Sequence, residues 1–212
     1  MSLSTYSELQ TFLASFLSRG GLSTEIPDYI KLGEGMIARK VRAFEMLTTY
    51  TLTESDRSSG AVYTLPADWL GARAVLSTYE GSGYEVKQKS LAELRSYSAS
   101  APPFHFATYG FEIEFRGTPA TDSEFDLIYF ARIAALSVTS SNLLLTNHPG
   151  LYVHSAAHYM MLRAQDFEAA REHRAEFDAI AEDVNGLAAN QQGTAHTAGA
   201  FNYGLINARS SM

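Results

Sequence analysis

The 212-residue chain contains no cysteine. That excludes disulfide frameworks, thiolate metal sites, cysteine nucleophiles and dithiol redox chemistry together, and leaves packing to hold the fold. Basic residues are scarce: 16 Lys and Arg stand against 23 Asp and Glu, for a formal charge of −7 and a pI near 5.3. This is the wrong sign for a protein that grips a phosphate backbone. Charge of either sign is low at 18%, beside 46% hydrophobic residues, which excludes a wholly disordered chain. Long apolar runs are missing as well. Residues 133–162 carry no Asp, Glu, Lys or Arg, but Asn142, Asn147, His148, Pro149, Gly150, His154 and His158 interrupt them. A membrane-spanning helix needs about 20 mostly apolar residues, so this stretch is expected to be buried or at an interface, with no membrane partner. Met1–Tyr6 lacks a basic region followed by an apolar core, so no secretory leader is expected.

The length suits one core with a smaller subdomain inserted into it. Tyr6, Leu9, Phe12, Leu13, Phe16 and Leu17 recur at helical spacing after Ser4 or Thr5, and Gly20-Gly21 closes that helix. A second helix is predicted from Pro27-Asp28 to about Leu47, with Ile30, Ile37, Val41 and Phe44 on its apolar stripe. The period then shifts towards two. Thr48–Thr53 and Ala61–Leu65 flank the turn-rich Asp56–Gly60 as a hairpin signal. Phe111, Ile113 and Phe115, and then Phe125, Leu127 and Tyr129, alternate with polar residues about a second turn-rich segment, which predicts another antiparallel hairpin. A short helix is expected at residues 91–97, and one long helix from Pro149 to about Leu187. The predicted fold is α+β: a helical bundle from residues 1–47 and 136–189, an antiparallel β-rich insertion at 48–135, and an extended tail at 190–212. Residues 184–208 carry no charge, yet Phe201, Tyr203, Leu205 and Ile206 are embedded in this stretch.

Catalytic patterns are weak. Gly33-Glu34-Gly35-Met36-Ile37-Ala38 fits G-x-G-x-x-A, but it falls inside a predicted helix with no strand before it. Close helix packing at small residues is the expected role, not a dinucleotide site. His154 and His158 stand at i and i+4, and His148 lies across Pro149, but the helix lacks the glutamate of a zinc hydrolase, so no metal is expected. Glu112, Glu114, Asp122, Glu124 and Asp126 alternate with apolar residues as the wet side of a hairpin does. Gly81-Ser82-Gly83 reads as a turn rather than a nucleophile elbow. Arg39, Lys40 and Arg42 form a small basic cluster of the kind found on solvated helix faces and in ion pairs. No cofactor and no catalytic residue is assigned.

Several short segments follow one another in a recognisable order: Thr5-Tyr6-Ser7-Glu8-Leu9; Ile26-Pro27-Asp28-Tyr29-Ile30 with Glu34 and Arg39; Leu65-Pro66-Ala67-Asp68-Trp69-Leu70; Pro103-Phe104-His105-Phe106-Ala107 with Gly110; Tyr129-Phe130-Ala131; and Asn147-His148-Pro149-Gly150-Leu151-Tyr152. In that order the chain resembles the head-to-tail adaptor (connector) proteins of tailed bacteriophages. The resemblance implies a structural virion protein in the neck between capsid portal and tail, assembled in the host cytoplasm. It implies a homo-oligomeric ring, typically twelvefold, that touches the portal and a tail or nozzle protein while genomic DNA passes through without specific binding.

The residues supply features such a ring would need. The charge-free stretch offers Tyr152, Tyr159, Met160 and Met161 as subunit-interface candidates. Phe201, Tyr203, Leu205 and Ile206 offer anchors for a portal-docking tail. Glu168, Glu172 and Glu176, one helical turn apart, are candidates for an acidic channel face past which DNA slides. Two other classes compete: a small cell-wall glycoside hydrolase using Glu112 or Glu124, and a soluble protein-binding helical module presenting residues 133–162.

Overall fold

Thr5 and Glu8 start the first helix reciprocally. The Glu8 carboxylate accepts the backbone N–H groups of Ser4 and Thr5 at 2.9 and 3.0 Å, and Thr5 Oγ1 accepts the Glu8 N–H at 3.3 Å, which satisfies donors that a helix start leaves unpaired. In the computed structural model, which describes residues 3–16, 23–79, 82–99, 102–117 and 124–197, helix α1 spans Tyr6–Phe16 and α2 spans Ile26–Lys40. Val41 is extended at φ −95° and ψ 135° and ends α2 well before Leu47. Strands follow: β1 Leu47–Leu52, β2 Arg57–Ser59, β3 Val62–Thr64, β4 Trp69–Tyr79 and β5 Ser82–Gln88; then helix α3 Leu91–Leu94, and β6 His105–Tyr109, β7 Glu112–Arg116 and β8 Phe125–Ala131. Helices α4 Leu136–Thr139, α5 Leu143–Asn147, α6 Pro149–Arg163 and α7 Phe167–Thr197 complete the described chain.

The α+β class agrees with the sequence reading, but a helical bundle carrying an antiparallel insertion does not describe this molecule. The strands form one eight-stranded mixed sheet in the order β1-β8-β4-β5-β6-β7-β3-β2. Its β5–β6 pairing is parallel, with Lys87 opposite His105 and Gln88 opposite Phe106. The sheet curls until strands far apart in that order touch across it. Tyr63 of β3 meets Phe125 of β8 edge-on at 5.7 Å, and Phe115 of β7 stacks on the same ring at 3.9 Å. A sealed apolar cluster fills the curl, with Leu52, Tyr63, Val75, Phe106, Ile113, Phe115, Phe125 and Leu127 at its centre.

Both expected hairpins are re-paired. Strand β1 lies against β8 rather than the 61–65 segment, and β7 and β8 are not neighbours at all. The alternation marked each strand correctly; partner choice followed closure of the curl, which local periodicity does not encode. Strand β4 escaped the sequence reading because register shifts between Trp69 and Gly71 and between Ala72 and Ala74 break its two-residue rhythm.

A second cluster joins α1, α2 and the α6/α7 pair around Leu9, Ile30, Met36, Leu151, Tyr152, Ala156, Met160 and Phe177. The expected long helix is two helices. It breaks between Arg163 and Phe167, where Gln165 adopts a positive φ of 59° and α7 folds back along α6. Helix α7 also runs on to Thr197, through the start of the expected extended tail at Asn190. The two clusters meet on β8, where Tyr129 belongs to the sheet cluster and its neighbour Phe130 to the helical one.

Candidate functional site

A cavity of about 590 Å³ lies at the edge of the helical cluster, where the end of α2, the start of β4, the segment after β8 and the first turns of α6 converge. Its apolar lining comes from Ile37, Met46, Leu70, Ile133 and Tyr152, and its charged lining from Glu34, Arg39, Arg42 and Arg132. Arg42 and Arg132 are held by backbone hydrogen bonds. The α2 terminus is fixed by Asn185 of α7, whose side chain accepts the Arg42 N–H at 2.7 Å and donates to the Lys40 carbonyl at 2.9 Å. The Arg42 guanidinium donates back to the Ala38 and Val41 carbonyls at 2.9 and 2.6 Å, covering acceptors that a helix end leaves open. Burial pulls its pKa down. The Arg132 backbone N–H is tied to the Asp68 carbonyl at 2.6 Å, while its side chain is exposed.

Glu34 is otherwise engaged. Its carboxylate accepts the Leu136 N–H at 2.7 Å, capping α4 from across the fold, and burial raises its pKa in spite of that bond. Among the described residues none of Arg39, Arg42 and Arg132 forms an ion pair with a carboxylate. Tyr152 closes the floor. Its hydroxyl accepts from Asn142 Nδ2 at 2.9 Å, and burial pushes its pKa up to about 12. The lining holds no nucleophile beside a base. Its chemistry is that of binding: guanidinium donors above an apolar floor suit carboxylate oxygens carried on an apolar group.

Of the subunit-interface candidates, Tyr152 and Met160 are sealed inside the helical cluster, and Tyr159 and Met161 are half-buried against it. Glu168, Glu172 and Glu176 are all exposed on α7. Phe201, Tyr203, Leu205 and Ile206 lie outside the described residues. Glu112 sits on β7 and Glu124 just before β8, strands that are separated in the sheet. Of the basic cluster, Lys40 pairs with Asp178 at 2.8 Å, whereas Arg39 and Arg42 line the cavity. Arg132 escaped the sequence reading, because an isolated arginine after a strand carries no signal without the fold around it.

The histidines are arranged differently from the i, i+4 reading. His154 Nδ1 faces His173 Nδ1 of α7 at 3.1 Å, and His158 Nδ1 lies 2.8 Å from the Ala170 carbonyl. One ring of the His154–His173 pair therefore donates and the other accepts. Burial lowers the pKa of both; for His173 the neighbouring His154 and His158 lower it further, and Glu172 and Glu176 oppose the shift. His173 carries no signal of its own while the turn is hidden: only with the break placed do His154, ten residues before Ala164, and His173, nine after it, come opposite each other. No group of three or more His, Asp or Glu side chains suited to a metal occurs among the described residues, and no described helix is long and apolar enough to cross a membrane.

Gly33 explains the G-x-G-x-x-A string. A Cβ there would stand 2.5 Å from Ser155 Oγ, so α2 and α6 approach at a position that only glycine fills comfortably. Gly35 has no such neighbour: its Cβ would meet Arg39 Nη1 at an ordinary 3.6 Å.

No curated protein matches the chain. The SU10 adaptor protein family model matches residues 4–200, from before α1 to beyond the described end of α7. Helices, curled sheet and cavity all fall within that match, and the chain belongs to the SU10 adaptor protein family of phage head–tail connectors.

Proposed function

We propose that the chain is one subunit of a ring-shaped structural adaptor in the virion neck, seated between the portal and a tail or nozzle protein. Genomic DNA passes through its channel without being specifically bound. The observation that carries this reading is the family match over residues 4–200. The chemistry agrees with it, since a net charge of −7 discourages a grip on phosphate. In this reading twelve subunits assemble in the host cytoplasm. Glu172 and Glu176 of α7 face the channel, with Glu168 at the head of their row. Tyr159 and Met161 supply contact between subunits, supported from within by Tyr152 and Met160. Phe201, Tyr203, Leu205 and Ile206 dock on the portal.

Electron microscopy of the purified chain mixed with its portal tests this. Rings with a central channel, stacked on the portal, are expected, and persistent monomers that do not bind portal would refute it. Deleting residues from Asn190 onward should weaken docking while leaving the body folded, and unchanged docking would remove that role from the tail.

A further inference from the structure

The arginine-lined cavity has a counterpart on the same molecule. Where α6 turns into α7, Phe167 is 59% exposed and Leu162 is 39% exposed. Two apolar side chains therefore project from the tip of a helical hairpin. Glu168 stands exposed beside Phe167, with no ion pair among the described residues. The neighbouring charges are placed so as to leave Glu168 available. Asp166 accepts the Ala169 N–H, Arg163 lies 3.7 Å from Glu25, and Arg171 lines a shallow groove with His158, Arg174 and one side of Phe167 and Leu162 themselves. The tip is thus an aromatic knob with a carboxylate at its side. The cavity is its chemical complement, an apolar floor rimmed by three guanidinium groups that form no ion pair among the described residues; the one carboxylate in the lining, Glu34, is taken up by the Leu136 N–H.

We infer that the α6–α7 tip of one copy of this chain inserts Phe167 into the Arg39/Arg42/Arg132 cavity of the next copy, with Glu168 meeting the arginine rim. The knob cannot reach its own cavity. Tyr152 lines the cavity in the first turns of α6, whereas the knob follows Arg163 at the other end; at 1.5 Å per residue the two positions lie at least about 16 Å apart along the axis. Complementary patches at opposite ends of one element can pair head to tail, which closes into a ring or runs on as a filament; a reciprocal pairing would instead stop at a two-fold dimer and end a ladder of cross-linked chains at two. This inference rests on the ring reading and names the contact that would build the ring.

The absence of cysteine makes a clean test possible, because two introduced thiols are the only ones in this chain. The full chain carrying Glu168→Cys and Arg132→Cys is co-produced with its portal, treated with a short bis-maleimide and run on a denaturing gel. A ladder of covalent oligomers extending to the ring size is expected, with each single-cysteine chain giving no ladder. In parallel, Glu168→Arg and Arg132→Glu should each cut the assembled fraction at least tenfold, and the two together in one chain should restore most of it. Normal assembly without a ladder, and indifferent to either reversal, overturns this contact while leaving the ring reading standing. Failure of the unmodified chain to assemble on the portal overturns both.

Discussion

Alanine in place of Gly33 sets two opposed effects against each other inside α2. The helix alone would gain about 1 kcal/mol, the usual preference for Ala over Gly. The added Cβ would stand 2.5 Å from Ser155 Oγ and 3.2 Å from both Ser155 Cβ and the Ala156 nitrogen. The hydroxyl can rotate away by giving up its bond to the Tyr152 carbonyl at 3.2 Å, a loss of about 1 kcal/mol. The other two atoms are main chain or attached to it, so relief requires α2 and α6 to separate by a few tenths of an ångström. Met36, Ile37, Ala156 and Met160 nearby are almost wholly sealed, and overpacking such a core costs about 1–3 kcal/mol.

The net expectation is a loss of about 1–3 kcal/mol, or a fall in Tm of roughly 2–12 °C for a chain of this size. Urea unfolding followed by far-UV circular dichroism and by fluorescence of the single Trp69 reads it. Gly35→Ala, two residues away and open, is the control and should stabilise by about 0.5–1 kcal/mol. Ser155→Ala on the Gly33→Ala background should recover part of the loss. If Gly33→Ala proves as stable as Gly35→Ala, the close approach of α2 and α6 is refuted.

The His154–His173 pair makes the helical layer sensitive to acid. Because burial depresses both folded pKa values, the unfolded chain takes up protons first. Stability should be full above about pH 6.5, the unfolded histidine value, and fall as pH drops below it. Urea midpoints between pH 8 and 5 would show this, and His173→Gln should flatten the profile. Glu34→Ala leaves the sealed Leu136 N–H without its acceptor and should cost about 1–3 kcal/mol, whereas Glu34→Gln, which keeps an oxygen there, should cost less than half as much. Phe125→Ala removes the ring shared by Tyr63 and Phe115. It should destabilise by about 3–5 kcal/mol, with amide exchange rising in both β3 and β8 because the curl loses its cross-sheet contact.

The sequence makes legible whatever depends on near neighbours. Leu9 and Leu13, one turn apart, are both sealed, and Ile113 and Phe115 both point into the sheet cluster, as their spacing requires. Features that depend on closure were hidden. Nothing local to Phe115 and Phe125 says that their rings will stack while their strands stay apart. The break of the long helix at Gln165 was masked because Ala164, Gln165 and Asp166 are neither glycine nor proline, and a positive φ at Gln165 is uncommon for a residue with a side chain. The cavity was illegible for the same reason: Arg39 and Arg42 read as one face of a helix, and Arg132, some 90 residues later, joins them only once β8 pairs with β1 and β4.

The position of the cavity bears on how a contact there would act. Met46 belongs to the helical cluster, and Leu70 and Ile133 pack on it; Trp69 and Ala131, beside Leu70 and Arg132 in sequence, pack on the sheet cluster instead. Tyr129, with its hydroxyl donating to Asp68 at 2.9 Å, and Phe130 face the two clusters from adjacent positions. A side chain seated among Arg39, Arg42 and Arg132 therefore rests on residues of the helical cluster whose chain neighbours, Trp69 and Ala131, are rooted in the sheet cluster. Pulling on it would load the α2–α6 packing at Gly33 and the β4–β8 pairing together. A chain with no disulfide to tie its layers has its best mechanical purchase at such a seam, because neither cluster can yield there without straining the other.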